Sequence, residues 1–227
     1  MGKRDVGTRL LKRAERARVE LDPNVAVRLA AYVSLLRRWS TRMNLTALDD
    51  SDAGLDRLIV EPLAAARRLP RRGWLIDIGS GGGSPAIPLQ IARPELTVRM
   101  VEGKTRKGAF LREAARQLEL KRLTVEGCRF EELLTRPELH EAHHVLTVRA
   151  VRIEAGMLRN LQAFVAPGGV LALFRGTGAT DAPLDLQPPL VWEATYPLVE
   201  SLQSHLLIIR KLSVKQNEYN TNTMTSG

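Results

Sequence analysis

The stretch that most limits what this chain can fold into is Trp74-Leu75-Ile76-Asp77-Ile78-Gly79-Ser80-Gly81-Gly82-Gly83-Ser84-Pro85, a short apolar run that ends in glycines. An apolar strand, a glycine turn and a Pro-led apolar helix read as the first β-α unit of an open α/β sheet. Without a Cβ, these glycines can take positive φ and let a ligand lie against the backbone. They do so at the end of the sheet where doubly wound folds bind cofactors.

A dinucleotide loop needs G-x-G-x-x-G, its third glycine allowing close helix packing, and Ser84 takes that place here. The pattern present is D-x-G-x-G-x-G, with Asp77 two residues ahead of Gly79. It resembles the S-adenosylmethionine loop of class I methyltransferases, in which the acid helps to hold the methionine end of the cofactor. Asp77, Gly79, Ser80, Gly81 and Gly83 are therefore candidate cofactor residues, the alternative being a glycine turn with no ligand. Glu102 ends the next apolar strand, about twenty residues past the glycines, where Rossmann-like folds place a ribose-binding carboxylate. A carboxylate accepts hydrogen bonds from both ribose hydroxyls, which a neutral side chain does less well.

The chain has 227 residues, enough for one α/β domain with an added segment. It shows no apolar run of membrane-spanning length, and its N-terminus has no signal-peptide core, so a cytoplasmic location is expected. Cys128 is the single cysteine, and His140, His143, His144 and His205 show no zinc spacing. No metal is expected, and the three clustered histidines read as solvated in a polar loop. The net charge is +9, and residues 1–43 hold eleven Lys/Arg against four acids, or +7 in that segment alone. Such a basic region is the electrostatic footprint of a nucleic-acid partner or, alternatively, an Arg-rich solvated face. Aromatic residues make up 4%, which argues against a stacking platform for long single strands.

Residues 6–20 read as a basic helix with Leu10, Leu11, Ala14 and Ala17 as its apolar side. Asp22-Pro23 starts a second helix with a stripe of Val25, Leu29, Tyr32, Leu36, Trp39 and Met43. Residues 52–69 form a third, which Pro62 is expected to bend. Strands then alternate with helices: strands 74–78, 97–102, 122–125, 144–149 and 169–174, with helices 85–92, 106–119, 130–136 and 153–164. Two strands, 190–197 and 205–211, follow without a long helix between them. The expected fold is α/β, a class I Rossmann-like methyltransferase with a seven-stranded, mostly parallel sheet whose last strand is antiparallel. Its expected organisation is a basic helical extension over 1–72, a core over 73–212 and a disordered polar tail over 213–227.

A closer resemblance rests on Asn44-Leu45-Thr46, Ile76 through Leu89, Phe110-Leu111-Arg112, Arg129-Phe130-Glu131-Glu132, Arg149-Ala150 and His205-Leu206-Leu207-Ile208-Ile209. In order and spacing these are similar to the bacterial small-subunit rRNA methyltransferase G family, also called glucose-inhibited division protein B, over about residues 25–211. Pro88, the second proline of the glycine-loop helix, makes the likeness more specific than a generic cofactor loop. The resemblance implies methyl transfer from S-adenosylmethionine to N7 of a guanine in 16S ribosomal RNA. The expected partner is that RNA or the small ribosomal subunit, and the expected state is a monomer. It also places Phe130 and Glu131 at the adenine. The chain departs from the family pattern at several places: Val60-Glu61 and Ala64 replace an Arg-His pair and a following Asp, Val148-Arg149-Ala150 replaces Ser-Arg-Ala, Arg175-Gly176 replaces Lys-Gly, and Gly103-Lys104-Thr105-Arg106-Lys107 replaces Ser-Leu-Gly-Lys-Arg.

Attack by a guanine N7 lone pair needs no proton removal, so alignment and electrostatics suffice. The Asn/Asp-Pro-Pro-aromatic run of amino-group methyltransferases is missing, and Cys128 is not placed for the covalent route of base C5 methylation. On the RNA side the candidates are Arg149 beside the methyl donor, Asn44 toward the base and Arg175 and Arg129 along the same surface, each readable instead as an ion pair or turn cap. A methyltransferase for another RNA or a small molecule, a non-catalytic RNA-binding protein and a nicotinamide dehydrogenase are the alternatives.

Overall fold

The computed structural model of the chain describes residues 3–43, 51–149, 153, 155–176 and 186–213. Asn44 and the tail from residue 214 onward lie outside the described residues.

Helix α1 (Lys3–Arg16) buries Val6, Leu10 and Ala14, a four-residue repeat that makes one stripe. It begins earlier than its apolar pattern predicts, so Val6 joins the buried stripe while Leu11 is only half-buried. At the start of α2 (Pro23–Met43), the Asp22 carboxylate accepts from the backbone N–H groups of Asn24 at 2.8 Å and Val25 at 3.3 Å. Pro23 sits where a helix leaves its N–H unused. The expected stripe forms, with Leu29, Tyr32 and Leu36 buried and Trp39 edge-on to Phe110 at 5.6 Å.

The third helical stretch divides into α3 (Asp52–Leu55), a π-helical turn (Asp56–Val60) and α4 (Glu61–Ala66). Ser51 caps it by accepting the Gly54 N–H at 3.0 Å. Pro62 acts here through its missing N–H, which leaves the carbonyls of Arg57 and Leu58 without the helical donors five and four residues on. Both carbonyls find partners elsewhere, as described below.

The strands are β1 (Gly73–Ile78), β2 (Leu96–Val101), β3 (Leu123–Glu126), β4 (His143–Arg149), β5 (Val165–Arg175), β6 (Leu190–Pro197) and β7 (His205–Lys211). They form one sheet in the order β3-β2-β1-β4-β5-β7-β6. The ladders from β3 to β5 are parallel, and β7 inserts antiparallel between β5 and β6. Helices α5 (Ala86–Ala92), α6 (Thr105–Gln117), α7 (Phe130–Leu133) and α8 (Ala155–Leu161) connect the parallel strands. Side chains alternate between two cores. Leu75, Val145 and Val170 pack with α1, α2 and residues of α5 and α6, whereas Ile76, Leu146 and Leu171 pack with Leu133 of α7 and Leu158 of α8.

One histidine departs from the expected solvated loop. His143 opens β4 at 1% exposure, its Nδ1 3.0 Å from the Phe164 carbonyl, and burial holds its pKa down to about 4. The polar residues around it conceal the fact that β4 begins there. His140 and His144 are exposed as expected.

Candidate active site

The strand order reverses between β1 and β4, so the loop after β1 opens on the crevice at the carboxyl edge of the sheet. In that loop the Gly79 and Ser80 N–H groups donate to the Val101 carbonyl at 2.9 and 3.0 Å, and Gly83 N–H donates to the Ser80 carbonyl at 2.7 Å. At Gly83 (φ 96°) the backbone itself strains any other residue, and a Cβ would also stand 2.5 Å from Ile87 Cδ1, which would have to shift. At Gly81 (φ 54°) a Cβ would meet nothing nearer than 3.7 Å, so the backbone there is open to a ligand.

Asp77 is 1% exposed. Its Oδ1 accepts from the Thr147 hydroxyl at 2.6 Å, while Oδ2 is buried with no donor, and burial pushes the carboxyl pKa up to about 6. The buried Ser80 hydroxyl donates to the Asp77 carbonyl at 3.0 Å. Glu102, also buried, ends at the same loop: Oε2 accepts the Gly81 N–H at 2.9 Å and Oε1 the Lys104 N–H at 2.8 Å. Each oxygen keeps a lone pair for a further donor. An orphaned buried carboxylate oxygen, an open glycine backbone and a second carboxylate at the ridge together fit an adenosyl cofactor whose other end carries an ammonium group.

Other expected residues fall around this loop. Phe130, at the start of α7 and following β3, is half-buried against the second core, and Glu131 is exposed beside it. The Arg129 N–H is capped by Glu132 at 2.8 Å. Arg175 ends β5 with its Nε buried and unpartnered. The partly buried Cys128 thiol has its pKa raised by burial, which disfavours the thiolate.

Arg149, expected as an open clamp at the mouth, is held by the protein itself. Its Nη2 donates to the Glu61 carboxylate and the Arg57 carbonyl, and its Nη1 donates to Ser84 Oγ at 2.7 Å. The Ser84 hydroxyl donates onward to the Leu58 carbonyl at 2.9 Å. These are the two carbonyls that Pro62 leaves without donors, so the π turn is tied to the end of the glycine loop through one guanidinium. Glu61 is 3% exposed, and burial raises its pKa against the pull of Arg149. The departure Val60-Glu61 thus supplies the counter-ion of Arg149.

Sequence reasoning missed a second tie. The Tyr32 hydroxyl of α2 donates to the Gly82 carbonyl at 2.6 Å, from a ring with no exposed surface, and burial raises its phenol pKa. Tyr32 was visible only as one member of an apolar stripe, and nothing in its spacing marks a partner fifty residues away.

A seven-stranded sheet with an inserted antiparallel β7, a cofactor loop after β1 and an acid after β2 define a class I S-adenosylmethionine-dependent methyltransferase. A solved S-adenosylmethionine-dependent methyltransferase from Aquifex aeolicus has the same fold, with a TM-score of 0.56 at 14% identity over 74% of this chain and 97% of that one. The profile of the family described as rRNA small subunit methyltransferase G matches residues 26–188, and the chain belongs to that family. Proteins named ribosomal RNA small subunit methyltransferase G from Halorhodospira halophila and Xylella fastidiosa are 34% and 38% identical to it. The first alignment covers 80% of this chain and 84% of the relative, and the second 85% and 90%. S-Adenosylmethionine is accordingly the cofactor of this family member.

With Asp77 as the proposed acceptor of the ammonium end, cofactor binding is expected to depend on pH. Its folded carboxyl titrates near 6, above the ordinary value, so the ligand-free fold holds the extra proton between about pH 4 and 6 and loses stability from this group as pH rises through that window. An ammonium group brought to Oδ2 requires the ionised form. Affinity for S-adenosylmethionine should therefore rise through about pH 6 and level off above it. Calorimetry from pH 5 to 8 should show this rise, and Asp77→Asn should flatten it.

Proposed function

We propose that this chain transfers a methyl group from S-adenosylmethionine to N7 of a guanine in 16S ribosomal RNA. The observation that carries the reading is the family match over residues 26–188 together with a site whose acids and glycines fit the cofactor. Bound there, S-adenosylmethionine supplies an electrophilic methyl carbon. The residues of the chain would bind and align it: Asp77 would hold the ammonium end, Glu102 the ribose hydroxyls, and the half-buried Phe130 with Glu131 the adenine. Arg149 keeps the far end of the loop in place through Ser84, and Arg175, at the end of β5, is the second cation proposed for the RNA side. No general base is required, because the N7 lone pair is already free to attack.

The reading places the protein in the cytoplasm as a monomer working on 16S RNA or the small subunit. Among the described residues no helix is long and apolar enough to cross a membrane. Mass-spectrometric mapping of methylated guanines in 16S RNA from a deletion strain, with and without the gene restored, tests it. A single N7-methylguanine lost and regained is expected, and an unchanged 16S pattern would overturn the substrate.

Glu102→Ala should weaken S-adenosylmethionine binding by about 1–3 kcal/mol, because it removes charge-assisted acceptors from the cofactor and from the Gly81 N–H that shapes the loop. Unchanged affinity in calorimetry would move the ribose site elsewhere.

A further inference from the structure

The +7 charge of the first 43 residues is not a uniform basic face. Arg9 pairs with Asp52 at 2.8 Å, and Arg13 pairs with Asp52 at 3.2 Å and with buried Asp56 through Nε at 2.8 Å. Arg28 and Arg38 reach the Leu118 carbonyl and Gln117. The exposed cations Arg16 and Arg18 stand at the carboxyl end of α1, where they line a cleft of about 1150 Å³ closed on the other side by the β6–β7 turn.

The position of this cleft matters more than its size. It reaches Gly176, directly after β5, and His205, which pairs with Arg175 in the β5–β7 ladder. In the neighbouring ladder Arg149 pairs with Phe174. Adjacent strands are about 4.8 Å apart, so the ends of β4, β5 and β7 lie within roughly 10 Å of one another. Arg57 bridges the remaining step, its Nη2 lying 3.5 Å from where a Gly176 Cβ would stand. The cleft and the methyl-transfer mouth are therefore consecutive parts of one carboxyl edge.

We infer that this cleft seats the sugar-phosphate backbone of the substrate RNA next to the methylated base, with Arg16, Arg18 and His205 as its contacts. The inference rests on the RNA-methylating reading above and adds where the strand lies. Charge complementarity argues for it: among the described lining residues the two acids are Asp56, neutralised by Arg13 and hydrogen-bonded by Ser201 at 3.0 Å, and the exposed Glu200, set against Arg16 and Arg18. Among the described residues the lining holds no Phe, Tyr or Trp, so it is suited to phosphates and not to stacked bases.

The test is binding of protein-free 16S ribosomal RNA by the full chain across a salt series, with the folded state of each variant checked by melting and S-adenosylmethionine calorimetry. Arg16→Ala with Arg18→Ala should weaken binding about tenfold near 0.1 M salt and flatten the log-log salt slope by roughly 1 to 1.5, the increment for two single-strand phosphates. Glu200→Gln should tighten binding. Lys121→Ala, a loss of exposed charge at the amino end of β3, should do neither. Parental affinity and slope in the Arg16/Arg18 variant, or no gain with Glu200→Gln, would overturn the cleft. Failure of the parent chain to methylate 16S RNA would instead overturn the substrate reading, and the two results are read in separate assays.

Discussion

Arg149→Ala is expected to lower unfolding stability by about 3–5 kcal/mol, because it strands a carboxylate in the interior. Glu61 is 3% exposed and has Arg149 as its ion-pair partner, and the same guanidinium serves the Arg57 carbonyl and Ser84. Glu61→Ala should cost a similar amount by leaving the cation unmatched. The double variant should cost clearly less than the two single losses added, since with both charges gone neither remains to be desolvated. Arg149→Lys should restore little, as an ammonium cannot present the planar fork that reaches three acceptors at once. Denaturant unfolding of the four variants measures this. Additive losses would mean that the pair is not coupled. An Arg149→Ala protein as stable as its parent would return the guanidinium to the role of an open clamp on the RNA.

Deleting residues 1–20 is expected to abolish cooperative folding. The deletion removes Val6, Leu10, Ala14 and Val19 from the larger core, each at 7% exposure or less, and takes Arg13 from Asp56, which is 1% exposed. Burial of four such side chains contributes several kcal/mol at about 25 cal/mol per Å², and the stranded carboxylate adds to the loss. These together match the whole stability of an ordinary domain. A thermal melt and near-UV circular dichroism of the truncated chain should show no sharp transition, and a parental melt would mean that α1 is a detachable arm. The salt-slope test of RNA binding is therefore sound only with point substitutions at Arg16 and Arg18.

The order of elements was legible because each rests on local chemistry. Asp22-Pro23 starts α2 through its own cap, and strands 190–197 and 205–211 fall where their apolar runs stand. The glycine loop was equally legible, since positive φ at Gly79, Gly81 and Gly83 is a property that few other residues tolerate. His143 is buried where its sequence reads as solvated, because a buried strand start and a polar turn can carry the same letters.

What the amino-acid sequence determined by itself was therefore the fold class and the positions of the glycine turn and of Asp77 and Glu102 beside it, all carried by spacings of a few residues along one β-α unit and the next strand. Tertiary structure alone decided how the charges and hydroxyls pair. Arg149 with Glu61 is a contact across 88 residues, Tyr32 with Gly82 one across 50, and Arg13 with Asp56 one across 43. The periodicity of an isolated helix says which face is buried and not what it meets. The basic helix reads in sequence as a nucleic-acid footprint or a solvated face, and Glu61 only as a departure from the family pattern. The folded chain brings their partners within hydrogen-bonding distance, where low dielectric makes an unmatched charge too costly to keep.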